Sequence, residues 1–494
     1  MTDQRELEYH AVKTKAAKGM GWTYLSFGLA KVLNLVAISI LARLLIPEYF
    51  GMVALATLTM DYLSVISDLG LGAALIQKRD RIEEAANIAF IFNVSAGILL
   101  TAAAFLIAPY AAVFFKEPQV TSVLRYLGLT FTITSFGSVQ NVLLQRELNF
   151  RRKIVPELGN TLIKALISIS LAFAGFGVWA LVFGQLAGAA FSSLLLWIIV
   201  PWRPKFTWDT TLAKDMFKYG LSIMGNNAIS IWEDSFDYFI IGLLYTPAAL
   251  GIYTLAYRLP QTLVLNILWI MTAVLFPAFS SLQSQMDILK KSFLSVMRYV
   301  ELLVTPICLG MFIAADPLIR VAFGDQWLDA IPILQALSLY AWVVSIGFHV
   351  GDVYKAIGRP DILIKISIPM FVIRLFLLWL GAQYSLVGVG IAHLVAGIIS
   401  GIIRYFVAAH FLKLTFLEFA RELTAFICGI GLAALALPAL YLTSGTPPLV
   451  QLSVVVCAGA AGYLGTAWFI ERGAITTALQ AAGVNLNARN AEAK

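Results

Sequence analysis

Between Trp22 and Leu45 the chain runs twenty-four residues with Lys31 and Arg43 as its only charges. About 20 mostly apolar residues, at about 1.5 Å each, suffice to cross the hydrocarbon core of a bilayer as a helix. A tight connection, Ile46-Pro47-Glu48-Tyr49, leads into a second apolar run, Phe50–Gln77, and Lys78-Arg79-Asp80-Arg81 closes the pair. Such runs recur along the whole length, which leaves a soluble fold little room. The composition agrees: 60% of residues are hydrophobic and 13% charged, where a soluble domain carries about 25% charged.

On the same rule spanning helices are expected near 21–45, 50–77, 85–114, 119–145, 154–174, 177–200, 217–244, 249–280, 291–322, 330–354, 362–383, 386–410, 418–442 and 449–471. The fold class is thus an all-α polytopic membrane protein of about fourteen transmembrane helices. The first hairpin repeats two hundred positions later. Leu44-Leu45-Ile46-Pro47 with Gly51 and Leu55-Ala56 is echoed by Leu244-Tyr245-Thr246-Pro247 with Gly251 and Leu255-Ala256. Lys18 meets Lys218 at the same offset, and Arg151 aligns with Arg359 after a small insertion. The duplication predicts two six-helix lobes in parallel pseudo-two-fold repeat. The expected division is a cytoplasmic N-terminus (1–18), an N-lobe (19–200), a cytoplasmic linker (201–218), a C-lobe (219–410), two further helices (411–471) and a cytoplasmic tail (472–494). Gly184-x-x-x-Gly188 and Gly397-x-x-x-Gly401 read as packing sites, since glycine lets helix backbones approach.

The net charge of +7 does not point to nucleic acid, because the bases sit in short loops between apolar runs. One set of loops carries nearly all of them, among them Arg81, Arg146, Lys205, Lys290 and Arg359; the opposite set holds essentially Lys116. The positive-inside rule places both termini in the cytoplasm. The apolar run after the polar start is too long for a cleavable signal. Cys308, Cys428 and Cys457 fall inside apolar segments at no metal-ligand spacing and read as small buried residues. No Walker loop, HExxH or CxxC is present, so no cofactor or metal is expected.

Ionisable residues inside the spans are the informative ones, since a charge in hydrocarbon must face a cavity or a partner. Depth along the helices puts Lys31, Lys164 and Arg374 near mid-membrane, Asp61 at a depth similar to Lys31, and Asp237 level with Arg258. Glu233 and Asp234 lie one turn deeper, and Arg298 and Glu301 match His349 and Asp352. Lys31–Asp61, Asp237–Arg258 and Arg298–Asp352 are candidate structural pairs. Arg43, Arg125 and Arg320 lie toward the outer face, where they can snorkel. The cations Lys31, Lys164, Arg258 and Arg374 suit phosphate oxygens; Asp61, Asp68, Asp234, Asp237 and Asp352 are candidate proton carriers or cavity acids. Pro156, Pro260, Pro277, Pro306 and Pro369 mark kinks.

Several stretches taken together carry a resemblance. They are Leu41-Ala42-Arg43-Leu44-Leu45-x-Pro47-Glu48-x-Phe50-Gly51, Ser67-Asp68-Leu69-Gly70-Leu71-Gly72-Ala73-Ala74-Leu75-Ile76-Gln77, Leu143-Leu144-Gln145-Arg146-Glu147-Leu148-x-Phe150, Gly175-Phe176-Gly177-Val178-Trp179-Ala180-Leu181 and Leu250-Gly251-x-Tyr253-x-Leu255-Ala256-Tyr257-Arg258-Leu259. Over residues 15–410 the chain resembles the Wzx-type polysaccharide flippases of the multidrug/oligosaccharidyl-lipid/polysaccharide exporter superfamily, in the colanic-acid-exporter branch. The resemblance implies a V-shaped pair of lobes around a cationic cavity. It also implies the movement of undecaprenyl-pyrophosphate-linked oligosaccharide repeat units across the bacterial inner membrane by alternating access. Arg43, Asp68 and Arg258 lie in the matched stretches and are carried over as cavity residues, so Arg43 joins Lys31, Lys164, Arg258 and Arg374 as a candidate substrate-binding cation. The implied partners are the lipid-linked glycan, membrane lipid and polysaccharide polymerase machinery, with the chain itself a monomer. Trp22, Tyr24, Trp232 and Tyr257 offer faces on which sugars stack. Two other classes remain open. A multidrug or cation antiporter of the same superfamily would use the acidic Glu233, Asp234 and Asp237. A polysaccharide polymerase would need large outer loops, and these are short.

Overall fold

The computed structural model describes residues 28–67, 70–78, 80–147, 149–205 and 207–472, and the side chains of 65–67, 150, 221–231, 233 and 234 fall outside the description. Among the described residues the chain is helical throughout its ordered elements. It divides into two compact units, Met1–Thr254 and Leu255–Lys494. Eleven of the described helices are long and apolar enough to cross a membrane. Of the three remaining expected spans, 21–45 and 50–77 include residues outside the description, and 217–244 includes side chains outside it.

In the first unit α1 covers residues 28–44, followed by α2 (Pro47–Ser67), α3 (Leu71–Gln77), α4 (Ile82–Phe114), α5 (Val120–Arg146), α6 (Phe150–Phe173), α7 (Val178–Ile199) and α8 (Thr210–Leu244). The start of α9 (Pro247–Pro260) completes it. The two copies of the repeated Pro-x-x-x-Gly turn lie against each other. A β-carbon on Gly51 would stand 1.7 Å from the Pro247 carbonyl oxygen, and one on Gly251 would stand 2.0 Å from that of Pro47. Glycine is required at both places because backbone meets backbone. The expected packing role of Gly184 and Gly188 is also met: their faces press on Ser168 and on Asn160 and Lys164 of α6. The residues between α7 and α8 are stapled to the start of α4. Lys205 Nζ reaches Glu83 at 2.6 Å, Asn87 Oδ1 accepts from the Lys205 amide at 2.9 Å, and Asn87 Nδ2 donates to Thr207 at 3.0 Å.

In the second unit a π turn, Gln261–Leu265, separates α9 from α10 (Asn266–Ser281). The turn begins right after Pro260, which has no N–H to continue the α-helical ladder. Then come α11 (Met286–Ile313), the short α12 (Ala315–Ala322), a 3-10 turn (Asp325–Trp327), α13 (Ala330–Ser345), α14 (Val350–Ala356), α15 (Asp361–Tyr384), α16 (Leu386–Leu412), α17 (Phe416–Arg421), α18 (Thr424–Leu442) and α19 (Pro448–Ile470). Other single helices of the sequence reading are divided as well. The 291–322 segment ends as α11 and restarts as α12, whose Arg320 binds Asp316 at 3.1 Å and Asp325 at 2.6 Å rather than merely snorkelling. The 330–354 segment breaks at residues 346–349, where Gly347 takes φ +74°. Gly397 abuts Tyr340 on α13, whereas a β-carbon on Gly401 would meet nothing within 4 Å, so the second GxxxG is a packing site at one glycine.

Proline inside a helix orphans the carbonyl four residues earlier. Two of these carbonyls have found side-chain donors. Pro306 frees Leu302, whose oxygen accepts from the Tyr463 hydroxyl at 2.8 Å. Pro109 frees Phe105, whose oxygen accepts from Arg125 Nε at 3.4 Å, with the guanidinium 5.9 Å from the Phe105 ring. Arg125 of α5 therefore serves the carbonyl that Pro109 frees in α4.

Candidate functional site

Within the first unit α1 carries Lys31, half-buried, and Arg43, exposed two residues before the turn into α2. Asp61 on α2 is half-buried, and its neighbour Tyr62 packs on Trp232 of α8 with ring centroids 4.8 Å apart. Phe239 extends this aromatic group toward Phe114 of α4. Trp232 stays 46% exposed, which leaves ring surface for a ligand. Lys164 sits half-buried on α6, its Nζ 3.4 Å from Gln185 Oε1 of α7. Asp237 is buried, and its carboxylate accepts from the Tyr253 hydroxyl at 2.5 Å and from the Tyr238 amide at 3.0 Å. A carboxylate held by these donors at the foot of the repeated turn has a structural role of its own. Asp68, Trp22 and Tyr24 lie outside the described residues, as do the side chains of Glu233 and Asp234.

Within the second unit Arg258 is half-buried one turn before the π segment, and its Nε is buried without a hydrogen bond. Leaving such a donor unmet costs about 1–3 kcal/mol, or more for a charged group. Arg374 is half-buried midway along α15. Tyr257 is buried and stacks on His393 at 6.0 Å, which removes it from the set of sugar-facing aromatics.

The expected pair Arg298–Asp352 is not formed. Arg298 binds Glu422 at 2.5 Å and Glu471 at 3.7 Å, the acids that flank α18 and end α19. Asp352 is buried and takes most of its partners from its own segment, Lys355 Nζ at 3.0 Å and His349 Nδ1 at 3.2 Å, with Thr272 of α10 as a further donor. Charges three residues apart on one helical turn reach each other without help from another helix. Sequence depth found the layer but not the partners.

Glu301 is the polar group that depth ranked with the inner layer and whose surroundings only the structure reveals. It is 0% exposed on α11, with Oε1 2.8 Å from the Ser345 hydroxyl of α13 and Oε2 buried without a hydrogen bond. Its signal in the sequence was a lone acid in the run Val300-Glu301-Leu302-Leu303-Val304. Among the described residues no group of three or more His, Cys, Asp or Glu could hold a metal ion.

A many-spanning helical protein with arginines and lysines half-buried in its spans, kinked at capped prolines, has the build of a membrane transporter rather than of a soluble domain. The chain belongs to the polysaccharide biosynthesis protein family, whose model matches residues 40–332. Among relatives, the teichuronic acid biosynthesis protein TuaB of Bacillus subtilis is 26% identical, over 71% of this chain and 73% of that protein. The lipopolysaccharide biosynthesis protein WzxC of Escherichia coli is 23% identical over 80% of this chain and 81% of its own length. The succinoglycan biosynthesis transport protein ExoT of Rhizobium meliloti is 26% identical over 70% of both. Among solved structures the fold is similar to that of the lipid II flippase MurJ in an inward closed conformation (TM-score 0.68, 14% identity, 92% of this chain and 99% of that one). It is also similar to an inward-facing multidrug resistance MATE family transporter of the MOP superfamily (TM-score 0.63, 16% identity, 78% and 94%).

Proposed function

We propose that this protein carries undecaprenyl-pyrophosphate-linked oligosaccharide repeat units from the cytoplasmic to the periplasmic leaflet of a bacterial inner membrane, for export of a surface polysaccharide. The observation that carries this reading is the set of half-buried cations on the spans of a chain in the polysaccharide biosynthesis family: Lys31 and Lys164 in one unit, Arg258 and Arg374 in the other. A headgroup of sugars and pyrophosphate cannot cross hydrocarbon unaided, because each unmet polar group costs several kcal/mol. Guanidinium and ammonium groups can replace the water around the diphosphate while the polyprenyl tail stays in lipid. Trp232, with nearly half its surface open beside Tyr62, supplies a stacking face for a sugar. The transport is binding and release, with no covalent step. Both termini lie in the cytoplasm, and the lobes run from 19 to 200 and from 219 to 410.

The names of relatives that serve teichuronic acid, lipopolysaccharide and succinoglycan favour a polyanionic or lipid-linked glycan over a small cationic drug. Removing a charged donor to a phosphate costs about 1.5–3 kcal/mol, or roughly ten- to a hundredfold in binding. Arg258→Ala and Arg374→Ala are therefore expected to depress polysaccharide export by that order while the protein remains in the membrane at wild-type level. Undiminished export from both variants contradicts the phosphate-binding role.

A further inference from the structure

The second unit contains a buried carboxyl that the transport path just proposed does not use. Glu301 is fully enclosed between α11 and the end of α13, with Thr305 and Ser345 buried beside it. Trp342 closes over this group, its Nε1 donating to Thr305 Oγ1 at 2.9 Å and its ring stacked on Phe426 at 4.5 Å. Among the described residues Glu301 forms no ion pair, and its Oε2 accepts nothing. An ionised carboxylate in that state is one of the most expensive arrangements a protein interior can hold.

A count of hydrogens says how the cost is avoided. The Ser345 hydroxyl lies 2.8 Å from Glu301 Oε1 and 2.6 Å from the Trp342 carbonyl oxygen. That carbonyl has no hydrogen to give, so Ser345 must supply it. If Glu301 is ionised, the one Ser345 proton has to serve both neighbours, and the nearby Trp342 Nε1–H has to be shared with Thr305. If Glu301 is a neutral acid, each contact has a proton of its own and no buried charge is left over.

The helix is broken directly beyond Ser345. Ser345 is the last residue of α13, and the helix is interrupted at 346–349 with Gly347 at positive φ. Beyond the break His349 is buried, its Nδ1 toward Asp352 and its Nε2 without a hydrogen bond. Irregular backbone inside a membrane is tolerated where it lines a polar or water-filled space, and broken helices are a recurrent place for proton and cation binding.

We propose that Glu301 is a proton-binding site of the second unit. The carboxyl is neutral while α11 and α13 enclose it and releases its proton to water when the 346–349 break opens, leaving a carboxylate that recloses only after taking a proton back. Resting on the flipping function proposed above, this makes Glu301 the residue through which a proton gradient drives transport. The surrounding charges do not compete for the role. On the same helix Arg298, one turn away, is committed to Glu422 and Glu471. On α12 Asp316 and Arg320 bind each other. From α19 Tyr463 donates to Leu302, from α18 comes the thiol Cys428, and α13 adds Tyr340. On α16 the basic groups are His393, stacked between Tyr257 and Tyr340, Arg404, and His410 in the last turn.

Infrared titration of the purified full-length protein tests this without any glycan. The spectrum at neutral pH is expected to contain the carbonyl stretch of a protonated carboxylic acid that disappears in Glu301→Gln, shifts in Ser345→Ala and fades as pH is raised. A Glu301→Gln spectrum identical to wild type in that region overturns the proposal. So does loss of the band on adding sodium chloride at constant pH, since the site would then hold sodium. In cells, Glu301→Gln is expected to reach the membrane yet lose gradient-driven export; export that still responds to collapse of the proton gradient contradicts the coupling role. If the wild-type chain fails to restore export to a deletion strain, the transport reading falls while the infrared result for Glu301 stands.

Discussion

Replacing Gly51 by alanine places a methyl group 1.7 Å from the Pro247 carbonyl oxygen and 2.4 Å from its carbon. An acceptable carbon–oxygen contact begins near 3.3 Å, so the two helix starts must separate by roughly 1.6 Å. The obstacle is backbone at the first residue of α9, which cannot rotate away as a side chain can. Inserting a methylene into a packed interior costs about 1–3 kcal/mol, and a backbone obstacle puts this substitution at about 3 kcal/mol. Against a typical total of about 5–15 kcal/mol that is a large loss. Gly251→Ala, with its methyl 2.0 Å from the Pro47 carbonyl, is expected to cost a similar amount. The double variant is expected to lose less than the sum, because either methyl alone already opens the contact that the other would strain. Thermal unfolding in detergent, followed by size-exclusion of the soluble fraction, measures all three. Gly401→Ala is the control, since its methyl would meet nothing within 4 Å. A Gly51→Ala protein as stable as Gly401→Ala refutes the reasoning that the duplicated turns meet through their backbones.

Tyr463→Phe leaves the Leu302 carbonyl freed by Pro306 without its donor and is expected to cost about 1 kcal/mol in the same unfolding assay, against near-neutrality for Tyr441→Phe on the exposed end of α18. The staple between α4 and the 201–209 segment has a definite pH sign. The Arg81 guanidinium and the Leu212 and Thr211 amides hold the Asp209 carboxyl below its ordinary value, and Glu84 first and Asp209 second hold Arg81 in its charged form. A depressed carboxylate stabilises the fold above its unfolded pKa and ceases to do so as pH falls through the lower folded value. Hydrogen exchange at 203–212 is thus expected to stay slow from neutral pH down to the ordinary carboxylate range and to quicken below it. Asp209→Asn should show fast exchange at neutral pH.

Much of the helical framework was legible because hydrophobic length is a one-dimensional property: the starts of α4, α5, α7, α16 and α19 lie within a few residues of the expected runs. The interruptions were less so. Pro260 announced a disturbance, but whether a proline gives a kink, a π turn or a capped bend depends on which donor lies near the freed carbonyl. Tyr463 and Arg125 come from other helices, so no local pattern marks them. Ion pairing failed for the same reason. Arg298 found Glu422 and Glu471, more than a hundred residues away and at span ends, where an acid looks like an ordinary loop residue. The repeat was the most informative feature of all, since Gly51 and Gly251 proved to be each other's neighbours. The candidate cations Lys31, Lys164, Arg258 and Arg374 were nameable from depth; that Arg258 keeps an unmet Nε was not, because it depends on the packing around the π turn.

The central claim, transfer of a lipid-linked glycan across the membrane, is tested most directly by extracting polyprenyl-linked intermediates from a strain lacking this protein. The account predicts that a single undecaprenyl-pyrophosphate-linked repeat unit accumulates, that it is inaccessible to periplasmic glycan-labelling reagents, and that wild-type protein clears it. Failure of any lipid-linked intermediate to accumulate, or accumulation on the periplasmic face, would contradict it.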